Sequence, residues 1–185
     1  MERIETSLPG VLELRPAIFK DNRGVFLETY HQNKFVDFGI EDRFVQDNHS
    51  CSTQGTLRGL HYQLVHPQAK LCWVVEGEVL DIAVDIRRGS PYFGKWTGVR
   101  LSAKERNQIY IPRGFAHGFL ALTQTVQFIY KCSDFHSAQS ARGSSIHQYF
   151  CYRRRRHRRN IGGRAGALAH TGDSLVTASC AMGPL

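Results

Sequence analysis

One short segment of this 185-residue chain concentrates side chains suited to acid–base chemistry. His61 lies three residues after Arg58, and Lys70 follows nearby. A neutral histidine is a good general base near neutral pH, and the two cations suit an anionic substrate. A lone histidine in a strand is more often structural, and the neighbouring cations are what make a base beside an anion-binding site the alternative.

Two later segments carry further groups that could move protons. His117 ends a Pro-x-Gly-x-x-His turn that begins at Pro112. It is either bonded to the turn backbone or directed into a site. Tyr130 lies in a strand-like run in which alternation places it on the same face as Phe128. On that evidence alone Tyr130 is a core aromatic or an acid that faces a ligand.

Two polar segments near the N-terminus could bind rather than react. One is a turn that leads into a strand and carries Arg23, Phe26 and Glu28. The other is dense in hydrogen-bonding side chains and includes Gln46 and Asn48. Each could be a surface turn. Together they would suit a polar, stacking ligand such as a nucleotide sugar.

The elements that must position these residues are short strands. Apolar and β-branched runs alternate with turn signals, which predicts an all-β sandwich or barrel. The runs are Val11–Leu14, Val25–Tyr30, Phe44–Gln46, Leu71–Val75, Val79–Ile86, Thr97–Leu101, Gln108–Ile111, Gly118–Leu122 and Val126–Cys132. Helical signal is thin, and two segments, Asn33–Phe38 and Ala103–Asn107, are each expected to form a short helix or a turn.

The run Val79–Ile86 has two unlike faces. One is wholly apolar, and the other carries Asp81 and Asp85 beside Val79 and Ala83. Carboxylates usually face solvent, and that is the default expectation. If this face lined a barrel interior, the interior would be polar and would be a site.

Composition excludes several classes of protein. Hydrophobic residues make up 42% and charged residues 22%, which is ordinary for a globular protein. No run approaches the roughly 20 apolar residues of a membrane helix, and the first ten residues lack a signal-peptide core. We therefore expect a cytoplasmic protein. The five cysteines include no Cys-x-x-Cys pair, which predicts free thiols rather than disulfides or a thiolate zinc site.

The charge is unevenly distributed. Residues 1–140 hold 16 Lys+Arg and 15 Asp+Glu, whereas residues 141–185 hold eight Arg and a single acid, Asp173. Six of those arginines lie in Arg153–Arg159, followed by a Gly/Ala-rich stretch. This composition predicts a folded domain over residues 1–140 and an atypical basic tail over 141–185.

Seven segments together resemble the dTDP-4-dehydrorhamnose 3,5-epimerase family. In order they are DNRGVFLETY, FVQDNHS, TLRGLHYQ, PQAKL, GEVLDIAVDIRRGSPYFGKWTGVRLS, IPRGFAHGFLAL and FIYKCSDF. The resemblance implies a cupin-type jelly roll, a homodimer and a dTDP-sugar substrate. Cupins that bind metal usually carry His-x-His in the first motif. Here that motif reads His61-Tyr62-Gln63, so neither a metal nor another cofactor is expected.

The implied reaction inverts C3 and C5 of a dTDP-4-dehydro-6-deoxyhexose, converting dTDP-4-dehydro-6-deoxy-D-glucose to dTDP-4-dehydro-L-rhamnose. By resemblance His61 is the general base and Tyr130 the general acid. Lys70, with His117 nearby, would bind the substrate and stabilise negative charge. A carboxylate commonly orients a catalytic histidine, and Asp81 is the best candidate to orient His61.

The resemblance also implies a set of binding residues. Arg58, Gln46 and Asn48 would bind the sugar and diphosphate. Arg23, Phe26 and Glu28 would reach the nucleotide across the dimer interface.

The chain departs from the family after about residue 139. Ala141 stands where the family has Glu, and the later motif that supplies an acid to the catalytic histidine is missing. The tail is a frameshifted product, a divergent folded or disordered C-terminus, or an added polyanion-binding tail, with nucleic acid the least favoured partner. Two alternative functions follow: a 3-epimerase acting at one centre, or a nucleotide-sugar-binding cupin with impaired catalysis.

Overall fold

The computed structural model describes residues 1–137 and the backbone of a strand at Ala141–Gly143. These residues form thirteen strands and one helix. In chain order they are β1 (Glu2–Glu5), β2 (Leu12–Arg15), β3 (Ile18–Asp21), β4 (Gly24–Leu27), α1 (Gln32–Asp37), β5 (Gln46–Thr53), β6 (Leu57–Gln63), β7 (Lys70–Glu76), β8 (Glu78–Asp85), β9 (Trp96–Ser102), β10 (Gln108–Ile111), β11 (Phe115–Ala121), β12 (Thr125–Cys132) and β13 (Ala141–Gly143).

Two antiparallel sheets make up most of this architecture. The first has six strands in the order β1-β2-β10-β7-β12-β5, and the second has five in the order β13-β6-β11-β8-β9. Strands β3 and β4 form a separate hairpin. The prediction of an all-β fold is confirmed. Neighbouring strands in each sheet are often distant in the chain, so the fold can bring separate sequence motifs together.

The predicted elements agree with these strands where the sequence is apolar. The run Gln108–Ile111 is β10 itself, and the predicted helix Asn33–Phe38 overlaps α1. Of the two alternatives expected for Ala103–Asn107, a short helix or a turn, the structure has the turn. Residues 103–106 form it, and Arg106 N donates to Ser102 O. Most of β5 was missed, because its sequence QDNHSCST is polar on both faces.

The core lies between the two sheets. Phe119 and Phe128 stack there with ring centroids 4.2 Å apart, among a cluster of buried aliphatic residues. A second cluster forms around Phe35 of α1 and Leu71 of β7. Among the described residues, no helix is both long and apolar enough to cross a membrane.

The two carboxylates of β8 face this interior. Asp81 and Asp85 are both 0% exposed, so the default expectation that they face solvent was wrong. Each tolerates burial because it accepts hydrogen bonds. Asp85 accepts from Arg87 and Ser90, and Asp81 accepts from His117. The alternative interpretation, in which this face of β8 lines a polar interior, is therefore correct.

The division of the chain at residue 140 stays a prediction. Strand β13 lies just beyond that position and pairs with β6. The other predictions for the basic tail concern residues outside those that the structure describes.

Candidate active site

A cavity of about 120 Å³ opens between the two sheets. It is lined by Ser50, Arg58, His61, Lys70, His117, Gly118, Phe119, Phe128 and Tyr130. Five of the predicted site residues therefore meet here, although they come from four different strands. This volume is smaller than the roughly 300–1,000 Å³ of a typical ligand pocket, so it suits one small ring rather than a whole nucleotide sugar.

The six-stranded sheet supplies one wall. Tyr130 of β12 lies opposite Cys72 of β7 on one side and Asn48 of β5 on the other. Lys70 of β7 directs its Nζ over the Tyr130 ring, 5.7 Å from the ring centroid. The period-2 alternation of β12 that placed Tyr130 beside Phe128 is confirmed, and that shared face lines the cavity.

The five-stranded sheet supplies the facing wall. His61 of β6 and His117 of β11 are register partners on adjacent strands. The register between β6 and β11 then shifts, so that Arg58 pairs with Phe119. Gly59 lies at this irregularity with φ +117°. Gly59 therefore marks the bulge that brings Arg58 and His61 onto one cavity.

Arg58 is held at the cavity by β5. Its Nε donates to Ser52 Oγ at 2.9 Å, and one terminal nitrogen donates to the Cys51 carbonyl at 3.2 Å. These bonds fix the guanidinium plane beside the cavity and leave other N–H groups for an anionic ligand.

Asp81 does not pair with His61, and this corrects the expected role of that carboxylate. Asp81 Oδ2 lies 2.9 Å from His117 Nε2, and both side chains are buried. The His117 ring also stacks on Phe128, with centroids 6.2 Å apart. The physical reason is topological: β8 pairs directly with β11, whereas β6 is on the far side of β11.

The cavity perturbs its two candidate proton-transfer groups in useful directions. His61 keeps solvent access, yet loss of surrounding water lowers its pKa below 6.5, and the nearby positive charges of Lys70, His117 and Arg58 lower it further. Burial raises the pKa of Tyr130 above 10.0. Near neutral pH His61 is therefore a neutral base, and Tyr130 keeps its proton.

The polar segment at the start of β5 borders the same wall. Gln46 Nε2 donates to Asn48 Oδ1 at 2.9 Å, and the two residues lie opposite Cys132 and Tyr130 in register. Two residues farther along the same face, Ser50 lines the cavity, and its buried Oγ has no hydrogen-bond partner among the described residues. Ser50 was not among the predicted site residues, although alternation from Gln46 and Asn48 places it on the same face.

The remaining predicted residues do not line this cavity. Arg23 sits on the β3–β4 hairpin, paired with Asp21 at 2.6 Å, and Phe26 is 69% exposed on the same hairpin. Glu28 accepts from Lys34 at 2.7 Å. Within one chain the structure does not bring these three residues to His61, so a role beside it requires a second copy of the chain.

The site therefore has two walls, one from each sheet, and comparison with known proteins identifies the family. The model of the family described as dTDP-4-dehydrorhamnose 3,5-epimerase matches residues 5–148. The chain belongs to the dTDP-4-dehydrorhamnose 3,5-epimerase family. The family resemblance and the assignment to an isomerase class are therefore confirmed. The family match extends a few residues past the predicted boundary at 140.

Relatives of this epimerase family cover most of the chain. A dTDP-4-dehydrorhamnose 3,5-epimerase from Shigella flexneri is 52% identical over 145 residues, which are 77% of this chain and 80% of that protein. A relative of the same name from Neisseria gonorrhoeae is 50% identical over 140 residues, which are 76% of this chain. Those residues are only 43% of the Neisseria protein, so this chain spans less than half of that relative's length.

A solved structure of the epimerase family supports the architecture. The dTDP-6-deoxy-D-glucose-3,5-epimerase of Legionella pneumophila, crystallised with dTDP-4-keto-L-rhamnose, is 46% identical with a TM-score of 0.77, and the match covers 78% of each chain. This similarity confirms the predicted cupin-type jelly roll.

Proposed function

We propose that this chain inverts C3 and C5 of dTDP-4-dehydro-6-deoxy-D-glucose to give dTDP-4-dehydro-L-rhamnose. The observation that carries the proposal is the placement of His61 and Tyr130 on facing walls of one cavity, with Lys70 beside them. Inversion needs a base on one face of a sugar ring and an acid on the other. A cavity between two sheets provides both faces.

His61 is the proposed base. A C4 ketone acidifies the protons at C3 and C5, because the resulting carbanion is delocalised onto the ketone oxygen. His61 accepts such a proton through a ring nitrogen and leaves an enolate. Its lowered pKa keeps the ring neutral and ready to accept a proton near neutral pH.

Lys70 is the proposed group that stabilises the enolate. Its ammonium projects into the cavity near the Tyr130 ring, and a cation in a site with little water stabilises a developing oxyanion strongly. His117, fixed by Asp81 at 2.9 Å, is the second group proposed to bind this end of the substrate. Asp81 acts through His117 as a positioning residue rather than by touching the sugar.

Tyr130 is the proposed acid. Its raised pKa holds the phenolic proton until the enolate forms on the neighbouring ring. Delivery of that proton to the face opposite His61 inverts the carbon. The phenolate then takes a proton from solvent, and the protonated His61 ring releases one to solvent, before the next inversion.

We propose that the nucleotide extends outside the cavity along β5 and onto a second copy of the chain. Arg58 is anchored at the cavity by Ser52 and would bind the diphosphate, with Gln46 and Asn48 nearby. The exposed Phe26 and Arg23 of the β3–β4 hairpin, with Glu28, would bind the nucleotide of a partner copy. A homodimer is therefore part of the proposal.

The proposed chemistry requires neither a metal nor an organic cofactor, because proton transfer and enolate stabilisation use side chains alone. We also propose a cytoplasmic location, where cysteines stay reduced. The three cysteines among the described residues, Cys51, Cys72 and Cys132, are free thiols.

The direct test is to incubate the full chain with dTDP-4-dehydro-6-deoxy-D-glucose in deuterated water and follow the sugar by NMR. The proposal expects deuterium at both C3 and C5 and the L-rhamno product. Deuterium at C3 alone would indicate the one-centre alternative. Binding of dTDP without any exchange would indicate a catalytically impaired nucleotide-sugar-binding cupin. The relatives described above are named as 3,5-epimerases, which favours the two-centre reaction.

A further inference from the structure

Behind the cavity, three buried side chains converge from three different strands. They are Cys72 of β7, Asp81 of β8 and His117 of β11, and their potential ligand atoms all lie within 4.8 Å of one another. Cys72 Sγ is 3.9 Å from His117 Nε2, and Asp81 Oδ2 is 2.9 Å from the same nitrogen. His117 Nε2 is thus shared between a thiol and a carboxylate.

Hydrogen bonds within the cluster do not satisfy all of its buried polar atoms. Asp81 is 0% exposed, yet its Oδ1 has no hydrogen-bond partner among the described residues. A buried carboxylate normally uses both oxygens, and leaving one without a partner is unfavourable. In the proposed reaction Asp81 acts only through the hydrogen bond of its Oδ2 to His117. The proposed function therefore explains neither the unpartnered Oδ1 nor the thiol of Cys72 beside it.

The donor set has a chemical preference. A thiolate, an imidazole nitrogen and a carboxylate oxygen are all ligands of Zn²⁺, and thiolate disfavours Mg²⁺ and Ca²⁺. Zinc bonds of about 2.0–2.3 Å place neighbouring ligand atoms between three and four ångströms apart, since bond angles are near tetrahedral. The observed separations of 2.9 and 3.9 Å need only small adjustments to meet that requirement.

We propose that Cys72, Asp81 and His117 form a zinc-binding site, and that zinc bound there inhibits the enzyme. The ion would not take part in the reaction. It would take the place of the proton shared by His117 and Asp81. The site differs from the first cupin motif, which here reads His61-Tyr62-Gln63 and lacks the usual second histidine.

Binding is an exchange of protons for the ion. Zn²⁺ enters, the thiol proton of Cys72 leaves, and so does the proton on His117 Nε2, while His117 keeps a proton on its other ring nitrogen. Nothing is oxidised or reduced. Both ligand atoms must release a proton before they can bind the ion.

The inhibition follows from the place of His117 in the site. His117 lines the cavity with His61 and Lys70, so an ion on its Nε2 would hold the ring by a metal bond instead of the bond to Asp81. Since Cys72 and Asp81 are fully buried and His117 is 6% exposed, the ion would enter past His117. Bound dTDP-sugar would therefore slow its uptake.

Cobalt(II) provides a test that does not depend on activity, because cobalt bound by a thiolate gives a charge-transfer absorption band in the near ultraviolet. The full chain should bind one Co²⁺ with this band, and Zn²⁺ should displace it. Cys72→Val keeps the apolar packing and should abolish the band, with zinc affinity lowered at least ~100-fold. Cys51→Ser should retain the band, as should a variant carrying both Cys151→Ser and Cys180→Ser, in which the thiols beyond the described residues are removed.

A band that persists in Cys72→Val, or Co²⁺ binding without any thiolate band, would overturn the site. Asp81→Asn is a second variant in case Cys72→Val fails to fold, and it should weaken binding without removing the band. Inhibition is tested separately by deuterium exchange into the sugar. Micromolar Zn²⁺ should inhibit exchange by the unmodified chain but not by Cys72→Val, whose activity without zinc should be normal. If zinc inhibits both equally, the inhibitory role is wrong. If no chain shows exchange, the proposed function fails while the spectroscopic result still stands.

Discussion

His61 and His117 lie opposite each other on β6 and β11. Among the described residues only His117 has a carboxylate partner, with Asp81 Oδ2 2.9 Å from its Nε2. The two histidines therefore have different environments. His61 is a solvent-accessible, neutral base surrounded by cations. His117 is a buried ring fixed in orientation. The prediction for Asp81 follows from this division.

Asp81→Asn should impair catalysis through His117 rather than through His61. Removing a preorganised electrostatic group outright costs roughly 10²–10³ in kcat, and loosening one should cost at least ~10-fold. The pKa of His61, followed by NMR, should change little. Asp47→Asn, on the outward face of β5 and paired with Lys131 at 2.9 Å, is the matched control. Unchanged kcat in Asp81→Asn would disprove the positioning role.

The acid limb of the pH profile should report His61. Because the pKa of His61 is lowered, kcat/KM should fall only as the pH drops below 6.5, the ordinary value. Lys70→Met removes a positive charge and should raise this pKa towards 6.5, although not beyond it, because the loss of water remains. NMR titration of the ring protons measures this directly. Lys104→Met, an exposed lysine in the turn before β10, should leave the titration unchanged.

Above neutral pH the profile should stay flat for longer than an ordinary tyrosine would allow. Burial raises the pKa of Tyr130 above 10.0, so the acid stays protonated until the pH exceeds that value. An alkaline limb in kcat/KM that begins well below pH 10, in a chain that circular dichroism shows to be folded, would be incompatible with Tyr130 as the acid.

Gly59→Ala should disrupt the site from the backbone. A Cβ at this position would lie 2.5 Å from Gly118 Cα and 2.7 Å from the His117 carbonyl oxygen, at a positive φ. We expect the pairing of His61 with His117 to be displaced and activity to be lost, with a destabilisation of ~3 kcal/mol or more by overpacking and strain together. Gly55→Ala has a positive φ but open space around the new Cβ, and should cost only about 1 kcal/mol with activity retained. Equal effects of the two substitutions would contradict the role of the bulge.

Asp85 should matter for stability and not for chemistry. It is fully buried and accepts from Arg87 and Ser90. Burial alone would raise the pKa of Asp85, but these hydrogen bonds outweigh it and hold the pKa below 3.8. The stabilisation is therefore fully present above pH 3.8 and lost as the pH falls through the lower folded value. Asp85→Asn should lower the free energy of unfolding at pH 7 by ~2 kcal/mol in urea denaturation. A variant that loses exchange activity while keeping full stability would contradict this structural role.

The sequence predicted the strands with an apolar face well. The alternation in β8 correctly grouped Asp81 with Asp85, and that in β12 grouped Tyr130 with Phe128. Which face of β8 is buried depends on the strands that pack against it. Periodicity shows that two faces differ and is silent on which one meets water, so the burial of both aspartates was not predictable from β8 alone.

Long-range pairing explains the other differences. Asp81 was assigned to His61 because a carboxylate on that face of its strand was otherwise hard to explain from the sequence. In the fold β8 pairs with β11 and not with β6, which gives the carboxylate to His117. The meeting of Cys72 with these two residues depends on the packing of two sheets. Cysteine spacing along the chain carries no signal of it.

The most direct test of the central claim is solvent deuterium exchange in two variants, compared with the unmodified chain. His61→Asn should show no exchange at C3 or C5 of dTDP-4-dehydro-6-deoxy-D-glucose, because the base is absent. Tyr130→Phe should still exchange, since His61 can return deuterium to the face from which it took the proton, but inverted product should be nearly absent. Exchange in His61→Asn at the rate of the unmodified chain, or normal inversion in Tyr130→Phe, would contradict the proposed roles of these two residues.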